Sequence, residues 1–155
     1  MTQQDQQDQQ DLDQGLSSAM PPEGFRPVRE WVLLDTSALS TVRRELLDEI
    51  TADHAARQDV LSDVPERMIL VASELATNAL THGLPPTIVS LSTDGRDYLL
   101  DVADHDLSSE PRVAGERPAG AGGFGLQIAR RIAQEVGWYS TESTKHVWVV
   151  FAAQG

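Results

Sequence analysis

The chain has 155 residues, 40% of them hydrophobic, which suffices for one domain with a real core and leaves too little for two comfortable ones. Its formal net charge of -12 gives no positive field to draw it onto phosphate backbones, so direct nucleic-acid binding is not expected. It has no cysteine, which excludes disulfides, thiol nucleophiles and Cys-ligated metals.

Residues 1–22 are rich in Gln and Asp and nearly devoid of apolar side chains before Leu12. Such a segment cannot bury enough surface to offset its ordering entropy, so it reads as a disordered tail ending near Pro21 and Pro22. It has neither the basic n-region nor the apolar h-region of a secretory signal, and no later run is apolar enough to span a bilayer. The expected location is the cytoplasm.

A domain over 23–155 follows. Trp31-Val32-Leu33-Leu34 is a short apolar run between charges and turn formers and predicts a strand. Asp35, Thr36 and Ser37 offer N-cap oxygens, and Leu39, Val42, Leu46, Leu47 and Ile50 recur at helical spacing, so 37–51 predicts an amphipathic helix that residues 52–62 extend or end. Asp63 as cap and Pro65 in the first turn open a second helix over 64–82, stopped by Gly83 with Pro85 and Pro86 beyond. Thr87–Ser92 and Asp97–Val102 predict two strands around an Asp94-Gly95 hairpin turn. Residues 105–122 lose all periodicity and form a long loop. A helix is predicted over 124–136, with Phe124, Ile128, Ile132 and Val136 on one face, and strands over 138–142 and 146–152 close the chain. This order gives an α+β fold with helices packed on one face of a mixed sheet.

Two segments carry chemistry. On the 64–82 helix, Glu74, Asn78 and His82 step by four and form one polar stripe. It borders the apolar face made by Met68, Val71, Ala72, Leu75 and Ala79, where side chains line a cleft if one exists; by itself the stripe is equally an ordinary helix boundary. The second segment begins with Asp104, which ends the apolar strand Tyr98-Leu-Leu-Asp-Val-Ala-Asp104. A fixed carboxylate there can accept a hydrogen bond from an exocyclic amine, or simply be a solvated strand end. Further on, Gly120, Gly122, Gly123 and Gly125 precede a helix, where glycines allow close backbone approach and unpaired N–H groups face anions. This is a phosphate cradle or a flexible hinge. The Gly-x-Gly-x-x-Gly match at 120, 122 and 125 does not follow a strand directly, which argues against a dinucleotide fingerprint.

In order, these pieces resemble the GHKL (histidine kinase-like) ATPase family: Glu-x-x-x-Asn on a helix, a strand ending in Asp, a loop, then Gly-x-Gly opening a helix. The Glu-Leu-x-x-Asn-Ala-x-x-His-Gly box and short chain look most like the anti-sigma factor serine/threonine kinases. The resemblance covers about residues 25–153. It implies the Bergerat two-layer α/β sandwich with a mixed, mostly antiparallel sheet. It also implies ATP and Mg²⁺ as cofactors, held by Asn78, His82, Asp104, Gly123, Phe124, Gly125 and Leu126. By the resemblance Asn78 coordinates Mg²⁺, Glu74 positions or deprotonates the attacking hydroxyl, and Asp104 reads the adenine amine. Arg117 in the loop is a candidate for the γ-phosphate or a solvated charge.

The sequence departs from the family where Asp104-His105-Asp106-Leu107-Ser108 replaces Asp-x-Gly-x-Gly. It departs again where His146, with Thr144 close by, takes the place of a Thr near the base. The implied function is phosphorylation of an anti-anti-sigma (STAS) partner and sequestration of a sigma factor, in a possible homodimer. The alternative is a binding module that keeps the fold and acts only by docking.

Overall fold

The computed structural model describes residues 18–57, 64–108, 129, 131 and 133–152. Along the chain, β1 (Arg26–Leu33) leads through a 3-10 turn (Thr36–Ala38) into α1 (Leu39–Arg57) and then α2 (Val64–His82). β2 (Thr87–Thr93) and β3 (Tyr98–Asp104) form a hairpin, and β4 (Glu135–Ser140) and β5 (Lys145–Phe151) form another. The strands make one sheet in the order β1-β2-β3-β5-β4. Every neighbouring pair is antiparallel. The expected mixed character is confined, among the described residues, to one isolated parallel bridge between Ser18 and Trp138.

α1 and α2 cover one face of the sheet. Alternation along the strands sends Trp31 and Leu33, Val89 and Leu91, Leu100 and Val102, and Val149 and Phe151 to that face. There they pack with Leu46 and Ile50 of α1 and Met68, Val71 and Leu75 of α2 in a single cluster. Met68 is fully buried, so truncating it to Ala is expected to remove about 2–5 kcal/mol of stability. On the opposite face Leu99, Trp148 and Val150 gather with Phe25 and Tyr139.

Through Trp148, that second cluster ties part of the N-terminal stretch to the sheet. Residues 18–22 fall in the stretch read as tail. Yet the Ala19 N–H donates to the Trp138 carbonyl at 2.9 Å, and the Trp148 indole N–H donates to the Ala19 carbonyl at 2.8 Å. The segment thereby occupies the free edge of β4. β1, at the other edge, carries Pro27, Arg26, Arg29 and a register shift between Pro27 and Arg29, features that discourage pairing with another strand. Residues 1–17 lie outside the described part.

Two boundaries differ from the sequence expectation. α1 begins at Leu39, because Asp35 caps the preceding 3-10 turn by accepting from the Ser37 N–H at 2.8 Å, and it continues to Arg57. The last helix does not reach 136. Ala129 and Arg131 are helical, but Glu135 and Val136 already belong to β4. Helical spacing of Ile128, Ile132 and Val136 cannot foresee this, because the decision is made by pairing: Gln134 donates to the Val150 carbonyl at 2.9 Å and Val136 lies opposite Val149. Gly137 lies inside this strand. A Cβ there would sit 2.6 Å from Cζ2 of the Trp148 indole that lies across it.

Candidate functional site

The polar stripe of α2 lies where its spacing places it. Val64, Met68, Val71, Ala72, Leu75, Ala76 and Ala79 are buried, Glu74 and Asn78 are half-buried, and His82 is exposed. Glu74 and Asn78 therefore stand at the margin of the core, and the stripe runs out into solvent at His82. One face round from Glu74, Ser73 accepts a hydrogen bond from Arg43 Nε of α1 at 2.9 Å.

The helix stops against the sheet. The Gly83 N–H donates to the Ala79 carbonyl at 2.9 Å, a last helical bond. A Cβ on Gly83 would lie 2.6 Å from that same carbonyl oxygen and 2.6 Å from Cγ and Oδ2 of Asp104. Only a residue without a side chain lets the end of α2 come this close to the end of β3.

Asp104 is thereby buried, at 5% exposure. Its Oδ1 accepts from the Asp106 N–H at 2.7 Å, and its Oδ2 lies 3.9 Å from Lys145 Nζ. Burial raises its pKa above the ordinary 3.8, prevailing over the lowering effects of the Asp106 N–H and the Lys145 charge. The following residues are tied down as well. The His105 N–H donates to the Leu84 carbonyl at 3.0 Å, its Nδ1 lies 3.1 Å from the Pro86 carbonyl, and the Ser108 N–H donates to Asp106 Oδ1 at 2.9 Å. Where the resemblance leads one to expect glycines, Asp side chains fold the backbone into successive Asx turns.

Across the sheet, the row containing Asp104 holds two further polar residues. One register step beyond the Ile88–Ala103 pair puts Thr87 opposite Asp104 on one side, and Lys145 pairs with Asp104 on the other. Thr87 is fully buried and its Oγ1 has no hydrogen-bond partner among the described residues. Lys145 is 9% exposed. Neither residue is singled out by the sequence, although alternation counted from the start of β5 would find Lys145.

His146 does not share this face. It pairs with Ala103 and projects to the other side of the sheet. There its Nδ1 lies 2.7 Å from Asp101 Oδ1, its Nε2 lies 2.8 Å from Thr144 Oγ1, and its ring stacks on Tyr139 at 4.5 Å between centroids. The Tyr139 hydroxyl, 3.4 Å from Asp101 Oδ2, is pushed up to about 12 by burial and by the Asp101 charge. His146, where the resemblance has a Thr near the base, therefore lies on the sheet face opposite to Asp104, whereas Lys145, one residue earlier, shares the face of Asp104.

Of the sequence-predicted residues, the structure thus brings the end of the Glu74–Asn78–His82 helix against Asp104. Gly120, Gly122, Gly123, Phe124, Gly125 and Leu126 lie outside the described residues, as does Arg117. A buried carboxylate with one oxygen left beside a cation, at a close glycine approach, suits a ligand amine. No group of three or more His, Asp or Glu able to hold a metal occurs among the described residues. A single amide oxygen from Asn78 suits an ion such as Mg²⁺, which is bound chiefly through water and phosphate oxygens.

The chain belongs to the histidine kinase-like ATPase domain family, whose model matches residues 35–151. Membership implies ATP binding, and the helices over a five-stranded antiparallel sheet are the family's α+β arrangement. Among solved structures, the histidine kinase AdeS of Acinetobacter baumannii is similar at 15% identity, over 83% of this chain and 69% of that one, with a TM-score of 0.43. No curated protein matches the chain. No helix among the described residues is long and apolar enough to cross a membrane.

Proposed function

We propose that this is an ATP-dependent regulatory serine/threonine kinase of the anti-sigma factor type, which phosphorylates an anti-anti-sigma (STAS) protein and sequesters a sigma factor. The observation that carries the reading is the buried Asp104 carboxylate jammed against Gly83, at the end of the helix bearing Glu74 and Asn78. In this arrangement Asp104 accepts from the 6-amino group of adenine. Glu74 lies nine residues before Gly83, roughly 13 Å along the helix axis, which separates the base end from the reacting end. Asn78, between them, would hold Mg²⁺ through its neutral amide oxygen, and the bound ion would supply charge neutralisation at the phosphates. The backbone of Gly123, Phe124, Gly125 and Leu126 holds phosphate oxygens, His82 borders the nucleotide, and Glu74 takes the proton of the attacking serine or threonine hydroxyl at its carboxylate.

Calorimetric titration of ATP with and without Mg²⁺, on wild type and Asn78→Ala, tests the site. Magnesium-dependent binding lost in Asn78→Ala is expected. Phosphate transfer to candidate STAS proteins then tests the chemistry: Glu74→Ala should keep nucleotide binding and lose turnover, and unchanged transfer in that variant would remove Glu74 from its role. A second reading is a docking module that has given up catalysis. The hydrogen-bonded Asp104–Ser108 turns, in place of a glycine run, favour it. Tight STAS or sigma-factor binding with no phosphate transfer would select it.

A further inference from the structure

Lys145 is the least expected residue of the Asp104 row. An ammonium is strongly hydrated, and burying one costs several kcal/mol unless its partners compensate. Here the residue is 9% exposed and faces a carboxylate whose own pKa is raised by burial. The two groups are not closed onto each other. The separation of 3.9 Å between Nζ and Oδ2 exceeds a direct hydrogen bond, which spans roughly 2.7–3.2 Å. Oδ1 is engaged by the Asp106 N–H, so Oδ2, the oxygen beside Lys145, is the one left to a ligand. The ammonium has three donors, so a contact elsewhere does not exhaust it. The row therefore offers one acceptor and one donor side by side, on the face where α2 ends.

We infer that Lys145 is a specificity-determining residue of the nucleotide site, donating to ring nitrogen N1 of adenine while Asp104 Oδ2 accepts from the adjacent 6-amino group. The inference rests on the reading of Asp104 as the adenine contact. It deepens that reading from one contact to two neighbouring atoms of the base edge. In a 6-oxopurine both atoms change sense: position 6 becomes an acceptor facing the carboxylate, and N1 carries a hydrogen facing the ammonium. A site with buried polar groups rejects such a mismatch far more strongly than an apolar pocket rejects a change of shape, because its own groups are left unpaired. A nucleotide read by Asp104 alone would show no dependence on N1.

The test uses the full chain with Mg²⁺ and measures dissociation constants for ATP, 1-deaza-ATP (in which N1 is a C–H group) and ITP. Wild type should bind 1-deaza-ATP about tenfold to a hundredfold more weakly than ATP, the size of a charge-assisted hydrogen bond, and ITP more weakly still. Lys145→Met should bind ATP and 1-deaza-ATP equally, near the wild-type affinity for the analogue, and Lys145→Arg should keep part of the discrimination. The comparison of ligands on wild type needs no variant to fold. Equal wild-type affinity for ATP and 1-deaza-ATP overturns the inference while leaving the nucleotide site standing. Undiminished discrimination in Lys145→Met overturns it too. Absence of ATP binding at millimolar concentration overturns the nucleotide reading itself.

Discussion

Replacing Gly83 with Ala probes the contact on which the site depends. The added Cβ would meet the Ala79 carbonyl oxygen and the Asp104 carboxyl group at 2.6 Å, against an ordinary carbon contact of roughly 3.5–4.0 Å. One obstacle is backbone, and the other is a short side chain hydrogen-bonded through its other oxygen. The carbonyl is held in the helix by the Gly83 N–H, and the carboxylate is held by the Asp106 N–H at 2.7 Å. Relief therefore requires the end of α2 to lift or β3 to shift, an overpacking cost of about 1–3 kcal/mol. The substitution also stiffens the unfolded chain, which returns about 0.4–1 kcal/mol. The expected net loss is about 1–2 kcal/mol, read as a lowered urea midpoint with unchanged slope. ATP affinity should fall with it, because the displaced group is the proposed base contact. An unchanged or raised midpoint would show that the helix end does not press on Asp104. A lowered midpoint with unaltered ATP affinity would show that the carboxylate is not a nucleotide contact.

Three further substitutions follow from single contacts. Thr87→Val replaces a buried hydroxyl that has no partner among the described residues by a methyl group of the same shape and should stabilise the ligand-free protein by about 1 kcal/mol in a urea melt; destabilisation would mean that the hydroxyl is satisfied in solution. Gly137→Ala drives a Cβ to 2.6 Å from an indole anchored to Ala19, and should cost about 1–3 kcal/mol and alter the near-UV signal of Trp148; an unperturbed signal would refute the stacking of Trp148 on β4. Asp104→Asn tests the buried carboxyl by pH. Because the folded pKa is raised above 3.8, the folded state holds its proton longer than the unfolded state, so this group makes stability fall as pH rises from about 4 toward the raised value. Asn removes that contribution, and a stability–pH profile over this range as steep as that of wild type would contradict it.

Elements whose signals are local were legible in the sequence. α2 runs from Val64 to His82 as its periodicity and the Gly83 stop require, and its buried face is the one the apolar spacing names. The turn between β2 and β3 is equally local: Asp94 Oδ1 accepts from the N–H groups of Arg96 and Asp97 at 2.9 and 2.6 Å, which also holds the Asp94 carboxyl below its ordinary pKa. The start of β4 was not legible, because Val136 suits a helical period and a strand alternation alike and only its partners on β5 decide. The same limit explains His146 and Lys145. In a strand, a slip of one residue exchanges the two faces, and the register that pairs Lys145 with Asp104 is set by the whole β3–β5 ladder rather than by any motif around residue 145.

The burial of Asp104 shows how a local signal and a long-range consequence meet in one residue. A carboxylate ending a strand is solvated unless something covers it, and nothing between Tyr98 and Ser108 announces a cover. Gly83 does, but in the sequence it reads only as the end of a helix. In the fold its missing side chain is also the space into which the Asp104 carboxyl fits. The cover raises the carboxyl pKa, and that energetic handicap is offset in part by groups able to meet it: first the Asp106 N–H from the turn, then the Lys145 charge from the neighbouring strand, with a smaller share from His105. Substitution at either supporting position should therefore act on Asp104 before it acts on the fold, which is the behaviour expected of residues that shape a binding site.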